Sequence, residues 1–266
     1  MPQGRAKVAA LKRARRPDGF HCEYSGVLLN VSDPSDPFYI NFDHRTPGVL
    51  DDIAATCAII NTSKANLTWQ EFPIVVRETV NHWDTGAPFR KDVVPFSAWR
   101  TSSYIRATNA RLVDMAMPPR VLDAGVRLTF GPGKLCRVCE RYPVVGSANY
   151  CHRCLRLVKR ATGATQGEQA AALKNAYCRE LDTFLCYHLG VPLDLFDWLG
   201  PYYLWYDHLV PRTKGTMVVS SALANRMKTD TDEEEWHAYF RELDRAMQGG
   251  KFDKKKVKLK YWKRFY

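Results

Sequence analysis

With 266 residues, 45% of them apolar, the chain has room for two modest domains or two copies of a smaller unit. No apolar run reaches the roughly 18 residues of a membrane span, and the start lacks the apolar core of a secretory signal. Lys and Arg outnumber Asp and Glu by 39 to 28, and the net charge of +11 favours a polyanionic partner, nucleic acid before an acidic membrane surface.

In chain order, residues 1–19 read as a basic arm, with six Lys/Arg in the first sixteen positions and a Pro17-Asp18-Gly19 turn at its end. A transit peptide is the alternative reading of this start. Residues 20–84 form a first unit. Cys22 to Asn30 is apolar and flanked by turns, Asp33 to Pro37 is a loop, and Phe38 to Phe42 has the content of a strand that delivers Asp43-His44 at its end. Ile53 to Lys64 suits a short buried helix, and Thr68 with Glu71 makes a capping box opening a helix through about His82. Residues 85–130 carry mixed signals and bridge to Gly131-Pro132-Gly133.

Residues 131–161 hold Cys136-x-x-Cys139 and Cys151-x-x-Cys154, eleven residues apart. That spacing predicts a small zinc ribbon, in which four thiolates fill a tetrahedral Zn2+ and leave no open position. Its role is therefore structural, and it implies an intracellular, reducing compartment such as cytoplasm or nucleoid. Arg137, Arg153, Arg156 and Lys159 around the cysteines suit phosphate contacts. Glu168 to Leu185 reads as a helix leading into a second unit, residues 168–248, where Thr231 with Glu234 would cap a helix with an apolar face of Trp236, Tyr239, Phe240, Leu243 and Met247. Residues 249–266 form a basic, aromatic tail, with Lys255 and Lys258 among its eight Lys/Arg.

The two units are one sequence written twice. Shifted by 164 positions, Cys22 to Lys64 falls on Cys186 to Lys228 without a gap and with thirteen identities in 43 positions, where chance gives about three. Asp43-His44 falls on Asp207-His208, Asn61 on Asn225 and Lys64 on Lys228. A phosphodiester repels nucleophiles and has a poor leaving group, and a divalent cation answers both difficulties. Asp43 and the Asn61 side-chain oxygen suit such a cation, Mg2+ or Mn2+, and His44 suits a general base. Lys64, one helical turn after Asn61, shares its face and is expected to contact phosphate.

Cys22-x-x-x-Gly26, Asp43-His44-x-x-Pro47 and Asn61-x-x-Lys64 resemble the HNH endonucleases, whose site is a ββα-metal fold of a hairpin and a helix around one cation. The resemblance covers roughly residues 20–72 and 184–240. It implies Asp43, Asn61, Asp207 and Asn225 as metal ligands, His44 and His208 as general bases, and Lys64 and Lys228 near phosphate. The further Asn that many members carry nine residues before the helix Asn is Asp52 in the first unit and Thr216 in the second. Cys22 and Cys57 stand outside any CxxC pair and are expected to be buried apolar residues.

The expected fold is thus α+β: two ββα-metal units joined by a zinc ribbon, with a basic arm and tail. The expected activity is metal-dependent hydrolysis of DNA, or less readily RNA, by a monomer with an internal pseudo-two-fold. By its likeness to the family, a homing or phage-encoded nuclease fits. The alternative class is a non-catalytic nucleic-acid-binding protein, for example in a ribonucleoprotein, that keeps the HNH-like folds as scaffold.

Overall fold

The computed structural model describes residues 2–99, 130–145, 149–158, 166–197 and 199–262. Among them the chain is α+β, with seven helices and five two-stranded antiparallel sheets. It divides into two compact units, Met1–Ser102 with Leu223–Tyr266, and Ser103–Ala222.

In the first unit, the expected arm is helix α1, Pro2–Ala14. Its small residues recur every fourth position, so Ala6, Ala10 and Ala14 share one face. Ala10 and Ala14 pack with Ile53 and Ala55 of strand β4, Ile53–Cys57. Strands β1, Arg15–Arg16, and β2, Gly19–Phe20, form a tight hairpin. Gly19 is required there: its φ is 141°, and a Cβ would meet Leu28 Cδ1 at 2.9 Å.

Strand β3, Ile40–His44, pairs with β4 so that Asp43 faces Ala54 and His44 faces Ile53. Helix α2, Ala58–Lys64, follows β4 directly, and the Ala58 N–H bonds the Tyr39 carbonyl at 2.9 Å. The single helix expected over 53–64 is therefore a strand and then a helix. All five β4 residues are buried, so the strand lacks the alternation that would mark it.

Helix α3, Glu71–Thr85, has the expected capping box. Glu71 N–H donates to Thr68 Oγ1 at 3.2 Å and Thr68 N–H to Glu71 Oε2 at 2.9 Å. Glu71 Oε1 also accepts from Ser97 N–H at 2.7 Å, so the chain after α3 folds back on its first turn. The start of the expected bridge thus belongs to the first unit's own fold, while residues 100–129 lie outside the described residues.

Helix α7, Glu233–Met247, is capped one residue later than expected, by Asp232 with Glu235. Thr231 instead donates its hydroxyl to the Lys228 carbonyl. The tail repeats the strap after α3. Glu235 Oε1 accepts from Lys260 N–H at 2.6 Å, Phe252 lies edge-on to Phe38 with centroids 5.7 Å apart, and Val257 is buried. Helices α3 and α7 pack through Trp83 stacked on His237 at 3.8 Å and Arg241 paired with Asp84 at 2.7 Å.

The basic, aromatic tail is therefore a packed element at Phe252, Val257 and Lys260. Deleting residues 251–266 is expected to lower stability, with Val257 alone contributing about 1.5–3 kcal/mol of burial. A urea midpoint unchanged by the deletion would contradict this packing.

In the second unit, helix α5, Gln166–Ala176, stops well short of Leu185. The short hairpin of β7, Tyr177–Cys178, and β8, Thr183–Phe184, follows it, with α5 packed on β10, Met217–Ser221. Strand β9, Leu204–His208, pairs with β10 in a register that repeats β3–β4 residue for residue, 164 positions on. The second unit ends at Ala222, the first residue of helix α6, Ala222–Lys228; the helix starts where that register predicts, and Ala222 N–H bonds the Tyr203 carbonyl at 2.9 Å, as Ala58 does with Tyr39.

Candidate metal centres

Asp43 sits on β3 with its side chain turned inward, buried to 6% exposure, and His44 turns to the partly open side. The loop after β3 fixes the imidazole. Gly48 adopts a φ of 89°, Val49 N–H bonds the Thr46 carbonyl at 3.0 Å, and the Val49 carbonyl then lies 2.8 Å from His44 Nδ1. A carbonyl only accepts, so Nδ1 carries a proton, and in the neutral ring Nε2 then keeps its lone pair. This is the tautomer a general base acting through Nε2 needs.

Asp43 Oδ2 accepts from the Tyr24 hydroxyl at 2.5 Å and lies 3.3 Å from Lys64 Nζ. Burial pushes its carboxyl above the ordinary range, against the pull of the Lys64 ammonium. Burial, and then the Asp43 charge, push the Tyr24 hydroxyl up, so Tyr24 keeps its proton and donates. Asn61, half-buried on α2, stands one turn before Lys64.

Lys64 is not placed to meet phosphate. Its side chain is fully buried, and Nζ donates to the Leu67 carbonyl at 2.5 Å besides facing Asp43. Burial pushes its ammonium below the ordinary lysine range. Lys228 is likewise buried. Lys64→Met would leave Asp43 buried without its cation, a loss of about 3–5 kcal/mol at neutral pH. With Lys64 gone, the Asp43 carboxyl rises further. Stability is then retained below the unfolded carboxylate range and lost as pH rises through the folded value, so the deficit should shrink in acid. Equal deficits at pH 4 and pH 7 in denaturant titrations would contradict this role.

Asp207 is buried on β9, and the position of Tyr24 is taken by His188, whose Nε2 lies 2.8 Å from Asp207 Oδ2. His208 ends β9 opposite Met217, as His44 ends β3. The chain divides between Ala222 and Leu223, so Asp207 and His208 belong to one unit and Asn225 and Lys228 to the other. Matching by identity passed over Tyr24 and His188 because the two residues differ. Cys22 and Cys57 are buried as expected. Although burial opposes it, hydrogen bonds from Cys57, Ser25 and Thr56 bring the Cys22 thiol down to about 6.

The four cysteines of the CxxC pairs are buried, with all four sulfurs within 4.8 Å of one another. Cys139 Sγ and Cys151 Sγ are 3.8 Å apart, beyond a disulfide's length and equal to the edge of about 3.8 Å in a tetrahedron of thiolates around zinc. The cluster fits a structural zinc ion. The hydrogen bond from Cys154 leads in bringing the Cys151 thiol down to about 5, toward the thiolate a metal binds.

The module differs from the expected ribbon. Cys136 and Cys139 form a knuckle between β5, Phe130–Leu135, and β6, Pro143–Val145, closed by Glu140 at a φ of 51°. Cys154 instead lies in the first turn of helix α4, His152–Val158, with Cys151 just before it. Arg153 is a clamp and not an open phosphate contact. It donates to Asp182 Oδ1 at 2.9 Å and stands over the rings of Tyr142, Tyr177 and Phe184. Arg137, Lys255 and Lys258 are exposed. The Arg156 side chain and Lys159 lie outside the described residues.

The chain matches no family model, no curated protein and no solved structure. Among the described residues no helix is long and apolar enough to cross a membrane.

Proposed function

We propose that the chain is a metal-dependent endonuclease of the HNH type, carrying two ββα-metal units and a structural zinc module in one polypeptide. The observation that carries this reading is the pairing of a buried carboxylate with an oriented base. Asp43 is turned inward on β3, and its neighbour His44 is held by Val49 in the tautomer that leaves Nε2 open. A divalent cation held by Asp43 and Asn61 would neutralise phosphate charge and stabilise the leaving oxygen. His44 Nε2 takes the proton of the water that attacks phosphorus as the bond to the leaving oxygen breaks. Asp207 and His208 are assigned the same roles in the second copy. The exposed cations Arg137, Lys255 and Lys258 add sequence-tolerant affinity for the phosphate backbone.

One observation favours the second reading, a non-catalytic nucleic-acid-binding protein. Lys64 already stands 3.3 Å from Asp43 and balances its charge without a cation. Incubation with supercoiled plasmid in Mg2+ or Mn2+ separates the two. A nuclease converts it to nicked and linear forms, and EDTA stops the conversion. Binding without any cutting of DNA or RNA, whatever the divalent ion, gives the second reading the case.

A further inference from the structure

We propose that Trp69, with Arg45 beside it, is a stacking platform for an unpaired base of the nucleic-acid strand bound at the first site. This rests on the nuclease reading of that site and names the substrate it prefers: single-stranded or locally opened nucleic acid over intact duplex.

Trp69 lies between the two ends of the capping box of α3, Thr68 and Glu71. The residues that flank the box, Leu67 and Phe72, are fully buried, whereas Trp69 stays 43% exposed. Its backbone N–H donates to the Arg45 carbonyl at 2.8 Å, which fastens the start of α3 one residue beyond His44. The Arg45 guanidinium stands over the indole, 5.5 Å from a ring centroid.

Arg45 is itself held in place. Its guanidinium bonds the Glu23 carboxylate. Glu23 is fixed to β4 twice, by its backbone N–H on the Ala55 carbonyl and its Oε1 on the Ala55 N–H, both at 2.9 Å. Arg13 Nε donates to the same carboxylate at 2.9 Å, so two guanidinium groups meet one acid and the trio keeps a positive charge. The loop that orients His44 leaves Val49 and Leu50 exposed at the same end of the hairpin.

Ring and cation together match a nucleotide, which offers a π face and a phosphate. In a duplex both faces of each base are covered by its neighbours, so a side chain reaches a face only where the base is unpaired and splayed out. The contact tolerates any sequence because every base has such a face. The second copy does not repeat it. At the positions of Glu23, Arg45 and Trp69 stand Tyr187, Leu209 and Glu233, so the preference belongs to the first site.

The test measures binding of the full, zinc-loaded chain, without added Mg2+ or Mn2+, to a thymine oligonucleotide and to an abasic one of equal length and charge. Circular dichroism checks folding. The wild type is expected to prefer the thymine strand. Trp69→Ala should weaken thymine binding by about 5–150-fold, the size of one stacked base, and leave abasic binding unchanged. Trp69→Phe retains a ring and should retain most of the preference. Trp69→Glu installs the residue of the second copy, an acid that suits a helix start, and should lose the preference too, which keeps the proposal testable if Trp69→Ala fails to fold. A folded Trp69→Ala or Trp69→Glu protein with the wild-type ratio of thymine to abasic affinity overturns the platform, and so does a wild type that binds both strands equally. The nuclease reading fails separately: a wild type with the Trp69-dependent preference that cuts neither DNA nor RNA in Mg2+ or Mn2+ supports the platform and sinks that reading.

Discussion

Removing zinc from the four-cysteine cluster is expected to unfold residues 130–158. The module is too short to hold itself by burial. Apart from the cysteines, its described buried apolar residues are Val138, Val144, Leu157 and Val158. Structural zinc sites of this ligand type carry about 10–16 kcal/mol of binding free energy, and that binding is coupled to folding. The consequences reach into the rest of its unit. Arg153, in the first turn of α4, clamps Asp182 and packs on Tyr177 and Phe184 of the β7–β8 hairpin, and Tyr206 of β9 donates to the Leu157 carbonyl at 3.1 Å. Cys139→Ser should therefore lose zinc and open the hairpin of the second unit to protease. The measurement pairs zinc release, read with a colorimetric chelator, against limited proteolysis. A zinc-free protein with unchanged protease resistance would contradict the role.

His44→Ala is expected to slow cutting at the first site by about 10²–10⁴-fold while leaving folding and binding nearly intact. The side chain is partly exposed, and its bond to the Val49 carbonyl is worth only about 0.5–1.5 kcal/mol. Asp43, Tyr24 and Lys64 keep their contacts without it. A loss in rate should thus appear with an unchanged urea midpoint and an unchanged affinity for plasmid in EDTA. A variant that loses stability along with activity would make His44 a structural residue and leave the base unassigned.

The parts legible in the sequence were those whose chemistry is local. Thr68 and Glu71 announce a helix start because a capping box has only two residues between its ends. The cysteine pairs announce a metal because their spacing is itself the ligand geometry. The second capping box was set one residue early, since Thr231-Asp232 ahead of three glutamates offers two equal solutions, and only the turn that ties Thr231 to Lys228 chooses between them. Other features are tertiary by nature. β4 reads as helix because burial on both faces removes its alternation. Lys64 reads as a phosphate contact because lysine is seldom buried, and its burial depends on Asp43, twenty-one positions away. The tail reads only as basic and aromatic because its lysines outnumber the few residues, Phe252 and Val257 among them, that fasten it.

The claim that the chain cuts with two sites is tested most directly by strand-specific end-labelling of a duplex cut by wild type, His44→Ala and His208→Ala. Two working sites, each facing one strand, predict that wild type breaks both strands and that each variant nicks one, the two variants nicking opposite strands. If His44→Ala abolishes all cutting while His208→Ala cuts both strands at the wild-type rate, the second copy is a scaffold and the two-site account is wrong.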